Sequence, residues 1–147
     1  MPVYLDDLEP GMEFTSVGRT VTEADIMTFA GVSGDYNLLH VNEPWVLDNT
    51  PFRGRIAHGL LILAMSSGMR TPGLFGLEVI AYLEESRKMT APTYPGDTIH
   101  VVIRVEETRR STSRPGMGVL RTTVEVRNQD DVVVQHDTDM MMIACRP

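Results

Sequence analysis

The sequence predicts an α+β fold in which one antiparallel β-sheet wraps around a central buried helix. Helical patterns occupy the first part of the chain, and strand patterns occupy the part after about residue 80. Between them, residues 60–65 are apolar without interruption, which predicts a helix that is buried on every face. Strands that follow one fully buried helix favour a sheet curled around that helix, and residues 1–147 suffice for one domain with a single core.

Three helices are predicted, the central one and two shorter ones before it. Thr22-Glu23-Ala24-Asp25 matches a capping box with Asp in the place of Glu, so the first helix should span about residues 22–31. Asn42-Glu43-Pro44 should start the second helix, because proline suits the first helical turn. The central helix is predicted from His58 to Met69.

The second half of the chain predicts a series of strands. Residues 79–89 should form the first of them. Apolar and polar residues alternate over residues 98–105 and again over residues 120–127, as they do in strands with one buried face. Residues 132–135 and 140–143 predict a further strand or two, and Asn128-Gln129-Asp130-Asp131 predicts a hairpin turn between neighbours.

A polar loop after the first helix carries the main candidates for chemistry. Asp35 and His40 are five residues apart, and a loop can turn both side chains toward one small space. A carboxylate and an imidazole that share one water form a general acid–base pair. The same residues also suit an ordinary loop with a buried, hydrogen-bonded His40. Residues that favour turns or helix caps surround Asp35, namely Ser33, Gly34 and Asn37.

Two blocks of sequence and a later turn match the pattern of one known family. The first block runs from Phe29 to Asn42 and contains Gly-Asp-Tyr-Asn-Leu-Leu-His; the second is Arg55-Ile56-Ala57-His58-Gly59-Leu60-Leu61. The later turn is Tyr94-Pro95-Gly96-Asp97-Thr98. Over nearly the whole chain they resemble the MaoC-like dehydratase family, which includes the (R)-specific enoyl-CoA hydratases, although Leu38 stands where that family usually has proline. The resemblance implies a hot-dog fold.

The resemblance also implies a reaction and its site. Asp35 and His40 would hold one water between them for the reversible hydration of a trans-2-enoyl thioester to the (R)-3-hydroxyacyl thioester. Which residue transfers which proton stays open, because burial and neighbours set the two pKa values. Gly59 lies just inside the predicted helix start, where a free N–H and the helix dipole favour an oxyanion. Close packing of helix on sheet explains a glycine at this position almost as well.

Three further residues are candidates for supporting roles. Asn37 either fixes the loop or hydrogen-bonds the acid–base pair. His58 is expected to cap and orient the start of the central helix rather than to act as a second base. The resemblance places the hydroxyl of Ser67 near the catalytic Asp, although the small triplet Ser66-Ser67-Gly68 favours close packing. The four histidines show no metal-ligand spacing, so neither a metal nor another cofactor is expected.

Composition and charge exclude several classes of function. A net charge of -7 argues against nucleic acid as a partner. Cys145 is the only cysteine, so no intrachain disulfide can form and a reducing compartment is inferred. The N-terminus has no leader pattern, and the predicted central helix, about 18 Å long, is too short to span a bilayer. We therefore expect a cytoplasmic protein that is not bound to a membrane.

Three functions from different classes compete. The leading interpretation is a hydratase or dehydratase whose substrate is an acyl-CoA or acyl-carrier thioester. A hot-dog thioesterase and a non-catalytic acyl-binding subunit are the alternatives, but the Asp35 and His40 spacing favours the first. Acyl length stays open, since it depends on which large residues close the tunnel; Met65, Met69, Leu74 and Phe75 are candidates. The unpaired edges of a curled sheet predict a homodimer or higher homo-oligomer, joined edge to edge.

Overall fold

Four long strands and two short ones form an antiparallel sheet. The computed structural model describes residues 1–69 and 71–147, and the order across the sheet is β1-β4-β5-β6-β3, with β2 also pairing with β4. Within these residues β3 pairs only with β6 and is an edge strand. The strands are β1 (Glu13–Thr15), β2 (Arg19–Thr20), β3 (Val79–Met89), β4 (Thr98–Arg110), β5 (Met117–Arg127) and β6 (Val133–Ala144).

The helices begin where the sequence predicts their caps. Thr22 caps α1, and its backbone N–H in turn donates to Asp25 Oδ2 at 2.9 Å, which confirms the capping box. Asn42 caps α3 by accepting from the Trp45 N–H at 3.0 Å, and Pro44 lies in the first turn. No helix among the described residues is long and apolar enough to cross a membrane. The helices are α1 (Glu23–Ser33), α2 (Leu38–Val41), α3 (Glu43–Asn49) and α4 (Gly59–Ser67).

The central helix α4 is buried on one side only. Its inner side chains pack with strand residues of the main core, whereas Leu60 is 59% exposed and Ala64 is also exposed. The prediction of burial on every face is therefore wrong for this chain, because the sheet and α1 pack against α4 but leave the side with Leu60 and Ala64 exposed. The core residues that α4 contributes are Leu61, Ile62 and Met65, and those of the sheet include Ile99, Val101, Val124, Val126 and Val134.

The last strand is longer than its sequence pattern indicates. The predicted segments at residues 132–135 and 140–143 belong, apart from Val132, to one continuous strand, β6. Asp137 and Asp139 interrupt the apolar pattern because acidic residues seldom lie in a strand core, yet Asp137 is completely buried. The predicted turn before β6 is confirmed by a hydrogen bond of 3.1 Å from the Asp131 N–H to the Asn128 carbonyl.

Candidate active site

Asp35 lies on a short loop between α1 and α2. Gly34 ends α1 in the left-handed conformation, with φ 75°, and so turns the chain out of the helix. The Asp35 N–H donates to Ser33 Oγ at 3.1 Å, and Asp35 Oδ1 accepts from the Asn37 N–H at 3.1 Å. One carboxylate oxygen is thus held by backbone, while Oδ2 faces His40 and the side chain stays 50% exposed.

His40 is buried and lies on the short helix α2, where the sequence predicts a loop. Its Nδ1 lies 2.7 Å from the Ile56 carbonyl oxygen. Because a carbonyl only accepts, Nδ1 must carry the hydrogen, and the neutral ring keeps a lone pair on Nε2. Burial lowers the pKa of His40, as does the neighbouring His58, against the opposing effects of the Ile56 hydrogen bond and the Asp35 charge.

The two groups are close without touching. His40 Nε2 lies 4.0 Å from Asp35 Oδ2, which is too long for a direct hydrogen bond. A water about 2.8 Å from each atom fits this separation. The structure therefore brings together the carboxylate and the imidazole that the sequence pairs, at a distance suited to one shared water.

His58 connects the Asp35 loop to the His40 ring. Its Nε2–H donates to the Asp35 carbonyl oxygen at 2.9 Å, and its ring stacks on that of His40 with the centroids 3.7 Å apart. On another side it contacts Phe29, with the ring centroids 5.0 Å apart. The expected side-chain cap of α4 is not formed, because the ring turns toward the Asp35 loop instead. The Ala57-His58-Gly59 motif pointed to this residue, but not to its partners.

Asn37 fixes the backbone around the pair. Its side-chain oxygen accepts from the Leu39 N–H at 3.0 Å and caps α2, the helix that carries His40. Its own backbone N–H holds the Asp35 carboxylate. Two roles were predicted for Asn37, and its side chain has the first, which is to fix the loop. The contact with Asp35 is made by the backbone N–H of Asn37 and not by its side chain.

Gly59 is the first residue of α4, directly after His58. Its N–H therefore has no intrahelical acceptor. A Cβ at this position would lie 2.3 Å from the sulfur of Met89, so close packing also favours a glycine here. The Gly59 carbonyl accepts from Gln135 Nε2 at 2.8 Å. Gln135 was not predicted as a site residue. The only signal for it in the sequence is a polar residue at the end of an apolar strand segment.

Ser67 lies at the opposite end of α4 from Gly59. Ser67 is eight positions further along the helix, about 12 Å along the axis. The Ser67 side chain is exposed, and its hydroxyl donates to the Ala64 carbonyl at 2.9 Å. Within this chain, the structure does not bring Ser67 to the Asp35 and His40 pair.

Asp35, His40 and His58 are close enough to be considered as a cation site. Their ligand atoms lie within 4.8 Å of one another. The rings of His40 and His58 are stacked with 27° between their planes, however, so their in-plane lone pairs run side by side rather than meeting at one point. This arrangement favours a shared water over a metal, and the absence of a metal stays a prediction.

A cavity of about 310 Å³ adjoins the site. Its wall includes Gly59 at the start of α4 and Ile56, whose carbonyl orients His40. Gln135 and Met89 line the side nearer the sheet. A substrate in this cavity would meet the free N–H of Gly59.

Comparison with proteins of known sequence gives a consistent result. The family model described as "MaoC like domain" matches residues 7–129. The (R)-specific enoyl-CoA hydratase of Rhodospirillum rubrum is 38% identical over 105 residues, 69% of either chain. The 3-hydroxybutyryl-CoA dehydratase of Methylorubrum extorquens is 32% identical over 108 residues, 71% of this chain and 65% of that protein. Protein MaoC of Klebsiella aerogenes is 31% identical over 98 residues, and the match covers 29% of its length.

Comparison with solved structures confirms the architecture. A monoamine oxidase regulatory protein from Archaeoglobus fulgius is similar with a TM-score of 0.87 and 29% identity, over 99% of this chain and 97% of that one. The MaoC-like dehydratase of Rhodospirillum rubrum gives a TM-score of 0.83 at 28% identity, over 99% of each chain. A Mycobacterium tuberculosis protein with a double hot-dog fold gives 0.87 at 20% identity, over 99% of this chain and 45% of its own. This last likeness concerns the fold alone, which is the predicted hot-dog fold.

Proposed function

This chain belongs to the MaoC-like dehydratase family of hydro-lyases, and we propose that it interconverts trans-2-enoyl and (R)-3-hydroxyacyl thioesters by adding and removing water. The observation that carries the proposal is the 4.0 Å separation between His40 Nε2 and Asp35 Oδ2. Relatives named as an (R)-specific enoyl-CoA hydratase and a 3-hydroxybutyryl-CoA dehydratase support both the reaction and a coenzyme A thioester as its substrate.

His40 is the base in this mechanism. A water between the two groups donates one hydrogen to His40 Nε2 and the other to Asp35 Oδ2, so its lone pairs face an incoming enoyl group. His40 takes a proton as the water oxygen bonds to Cβ. The Nδ1–H bond to Ile56 and the lowered pKa of His40 both favour the neutral ring that this step requires. We assign to Asp35 the orientation of the water and the transfer of the proton to Cα. The ionised carboxylate takes from His40 Nε2 the proton that the imidazole removed from the water and delivers it to Cα, which returns both groups to their starting states.

Gly59 stabilises the charge that builds on the thioester oxygen. Its N–H is unused by α4 and lies at the positive end of the helix dipole. An N–H aimed at an oxyanion contributes in the transition state more than in the ground state. Met89 occupies the space that a Cβ of Gly59 would fill, so packing explains the glycine and the oxyanion role depends on the backbone N–H. His58 is a positioning residue, since it reaches the water only through Asp35 and His40.

The edge strand β3 supports a homodimer. Several of its apolar side chains are exposed in the single chain, and an unpaired edge of this kind is seldom left open. Leu60 on the uncovered side of α4 adds to the apolar surface. We propose that a second copy pairs along β3 and covers both this edge strand and the exposed side of α4. The exposed apolar residues of β3 are Val79, Ile80, Tyr82, Leu83 and Met89.

We place the reaction in the cytoplasm, where coenzyme A thioesters are handled in a reducing environment. Cys145 is a free, buried thiol, which suits that compartment.

One assay separates the hydratase from the thioesterase and the non-catalytic binder. A hydratase removes the absorbance of the conjugated enoyl thioester without releasing coenzyme A. A thioesterase would release a free thiol, and a binding subunit would change neither signal. Loss of conjugation with no thiol is the expected result; thiol release, or no change with any enoyl-CoA, would contradict the proposed function.

A further inference from the structure

A second, larger cavity lies between the C-terminal half of α4 and the inner face of the sheet. Its volume is about 430 Å³, and most of its wall is apolar. Leu74 and Phe75 close part of it, as the sequence suggested for an acyl tunnel. An acyl chain is the kind of ligand that such a wall accommodates.

One side of this cavity is acidic. Glu85, Asp137 and Asp139 line it, and their carboxylates lie within 4.8 Å of one another. We call these three residues the acidic wall. Burial raises the pKa of Asp137 to about 7, against the lowering effect of Arg87, and burial also raises the pKa of Asp139.

Among the residues that the structure describes, Arg87 alone brings a guanidinium to this cavity, and that group is already occupied. Arg87 Nε donates to Glu85 Oε1 at 2.8 Å, and its two terminal nitrogens contact Gln135 and Asp137. Arg87 therefore has no free face for an anionic ligand, and it balances only part of the charge of the acidic wall. The site is suited to a ligand group that donates hydrogen bonds or carries positive charge.

Several oxygens in this part of the wall have no hydrogen-bond partner among residues 1–69 and 71–147. They are Oδ1 of Asp137, Oδ1 of Asp139, whose carboxyl group also bonds the Tyr82 hydroxyl, and the hydroxyl of Thr122. Thr122 and Asp137 are almost completely buried, and both line the cavity. Buried polar atoms are nearly always paired in folded proteins, so three unpaired ones in one wall indicate a missing partner.

We propose that this cavity binds the distal part of the substrate acyl chain and selects chains that carry a hydrogen-bond donor, a hydroxyl or an ammonium group. The inference rests on the proposed hydratase function. It names the substrate class as polar-tailed enoyl thioesters, whereas an apolar cavity would select plain alkyl chains.

The position of the cavity agrees with this assignment. Its wall includes Leu63 and Ser67, four and eight residues along α4 from Gly59, or about 6 and 12 Å along the axis. A chain of hydrogen bonds also connects the two regions. Gln135 donates to the Gly59 carbonyl and contacts Arg87, which in turn contacts Asp137. The acidic wall and the start of α4 are thus parts of one bonded network.

The test compares substrates of equal chain length. Hydration would be measured for crotonyl-CoA, trans-2-octenoyl-CoA, and the 8-hydroxy and 8-amino derivatives of the latter. At least one of the derivatives should show a kcat/KM at least about tenfold above that of octenoyl-CoA, since a hydrogen bond to a buried charged acceptor supports a difference of this size. If the amino derivative has the higher kcat/KM of the two, the charge of the acidic wall is the selecting feature. If the hydroxy derivative has the higher kcat/KM, hydrogen bonding alone selects the substrate.

Matched variants test the assignment of residues. Thr122→Val should reduce the preference for the hydroxy derivative over octenoyl-CoA. Thr123→Val is the control, because the neighbouring hydroxyl bonds Glu106 Oε1 at 2.7 Å, away from the cavity, and this variant should keep the wild-type preference. Asp139→Asn removes charge but keeps an acceptor, so it should weaken the preference for the amino derivative most.

Equal or lower kcat/KM for both derivatives would overturn this inference, since the cavity oxygens would then be satisfied by water alone. That outcome would leave the hydratase proposal intact as long as crotonyl-CoA or octenoyl-CoA is hydrated. Failure of all four thioesters to react would overturn the proposed function itself.

Discussion

At the scale of single residues, the site depends on which hydrogen bonds each group has already made. The backbone occupies His40 Nδ1 and Asp35 Oδ1, so the two atoms left over face each other. His58 differs, because its Nε2–H is bonded to the Asp35 carbonyl and its ring contacts those of His40 and Phe29. Its remaining nitrogen, Nδ1, has no hydrogen-bond partner among the described residues and is buried away from solvent. The catalytic roles are therefore assigned to His40 Nε2 and Asp35 Oδ2, the two atoms that face each other.

Asp35→Asn should lower hydratase turnover by about 10²- to 10⁴-fold, the usual contribution of a general acid–base group. The amide keeps the size of the side chain, and Asp35 is half exposed, so thermal unfolding should change little. Asp48→Asn, on an exposed position of α3, is the control and should keep normal turnover. Wild-type turnover in Asp35→Asn would refute the role of the carboxylate.

His40→Ala should reduce turnover by a similar factor and also cost some stability. The variant loses a buried hydrogen bond to Ile56, which contributes about 0.5–1.5 kcal/mol. Chemical denaturation would measure the stability, and a steady-state assay would measure turnover under conditions where the variant is folded. A folded His40→Ala protein with normal turnover would exclude the imidazole as the base.

The pH dependence of kcat/KM should show a lowered pKa for His40. A base must be unprotonated. Activity should therefore be at its maximum above the pKa of this ring and should fall as the pH drops through that pKa. Because burial lowers that pKa below its ordinary value, the acid limb should lie below about 6.5 and activity should be full at neutral pH. A limb above about 6.5 in the wild-type protein would contradict a buried neutral imidazole.

At the scale of elements, local sequence patterns predicted the helix caps and the strands. They did not predict contacts between residues that are far apart in the chain. The capping box of α1 and the Asn42 cap of α3 depend on residues three apart, which a sequence displays directly. The bond from Gln135 to Gly59 joins residues 76 apart, and no periodicity indicates it. The continuity of β6 was missed for a related reason, since Asp137 is buried beside a partner, Arg87, on another strand.

Gly59→Val tests the helix start as an element. The new side chain should clash with Met89 and also block the thioester, so both stability and turnover should fall. Met89→Ala, added to Gly59→Val, should relieve the clash and restore the melting temperature while turnover stays low. Recovery of turnover along with stability would show that Gly59 serves packing alone.

At the scale of the whole molecule, the chain leaves two features uncovered that one partner would cover together. The free edge of β3 and the outer side of α4 both carry exposed apolar residues, Ile80 and Leu60 among them. Pairing about a two-fold axis would present the same surface from each copy. We therefore expect a second copy of the chain to cover the apolar surface that a single copy leaves exposed.

Ile80→Lys should shift the protein toward the monomer, because it places a charge on the exposed edge strand. Val17→Lys is the control, since Val17 is about as exposed but lies between β1 and β2. Light scattering during dilution would give the mass, and activity measured at the same concentrations should fall as the dimer dissociates. A wild-type monomer with full specific activity would rule out the dimer as the active form.

The most direct test of the central claim is hydration of an enoyl-CoA in isotopically labelled water, followed by mass spectrometry. Addition by the Asp35 and His40 pair predicts one labelled oxygen in the 3-hydroxyl group of an intact (R)-3-hydroxyacyl-CoA, and almost none with Asp35→Asn. Label in a free carboxylate beside released coenzyme A, or equal labelling with Asp35→Asn, would contradict it.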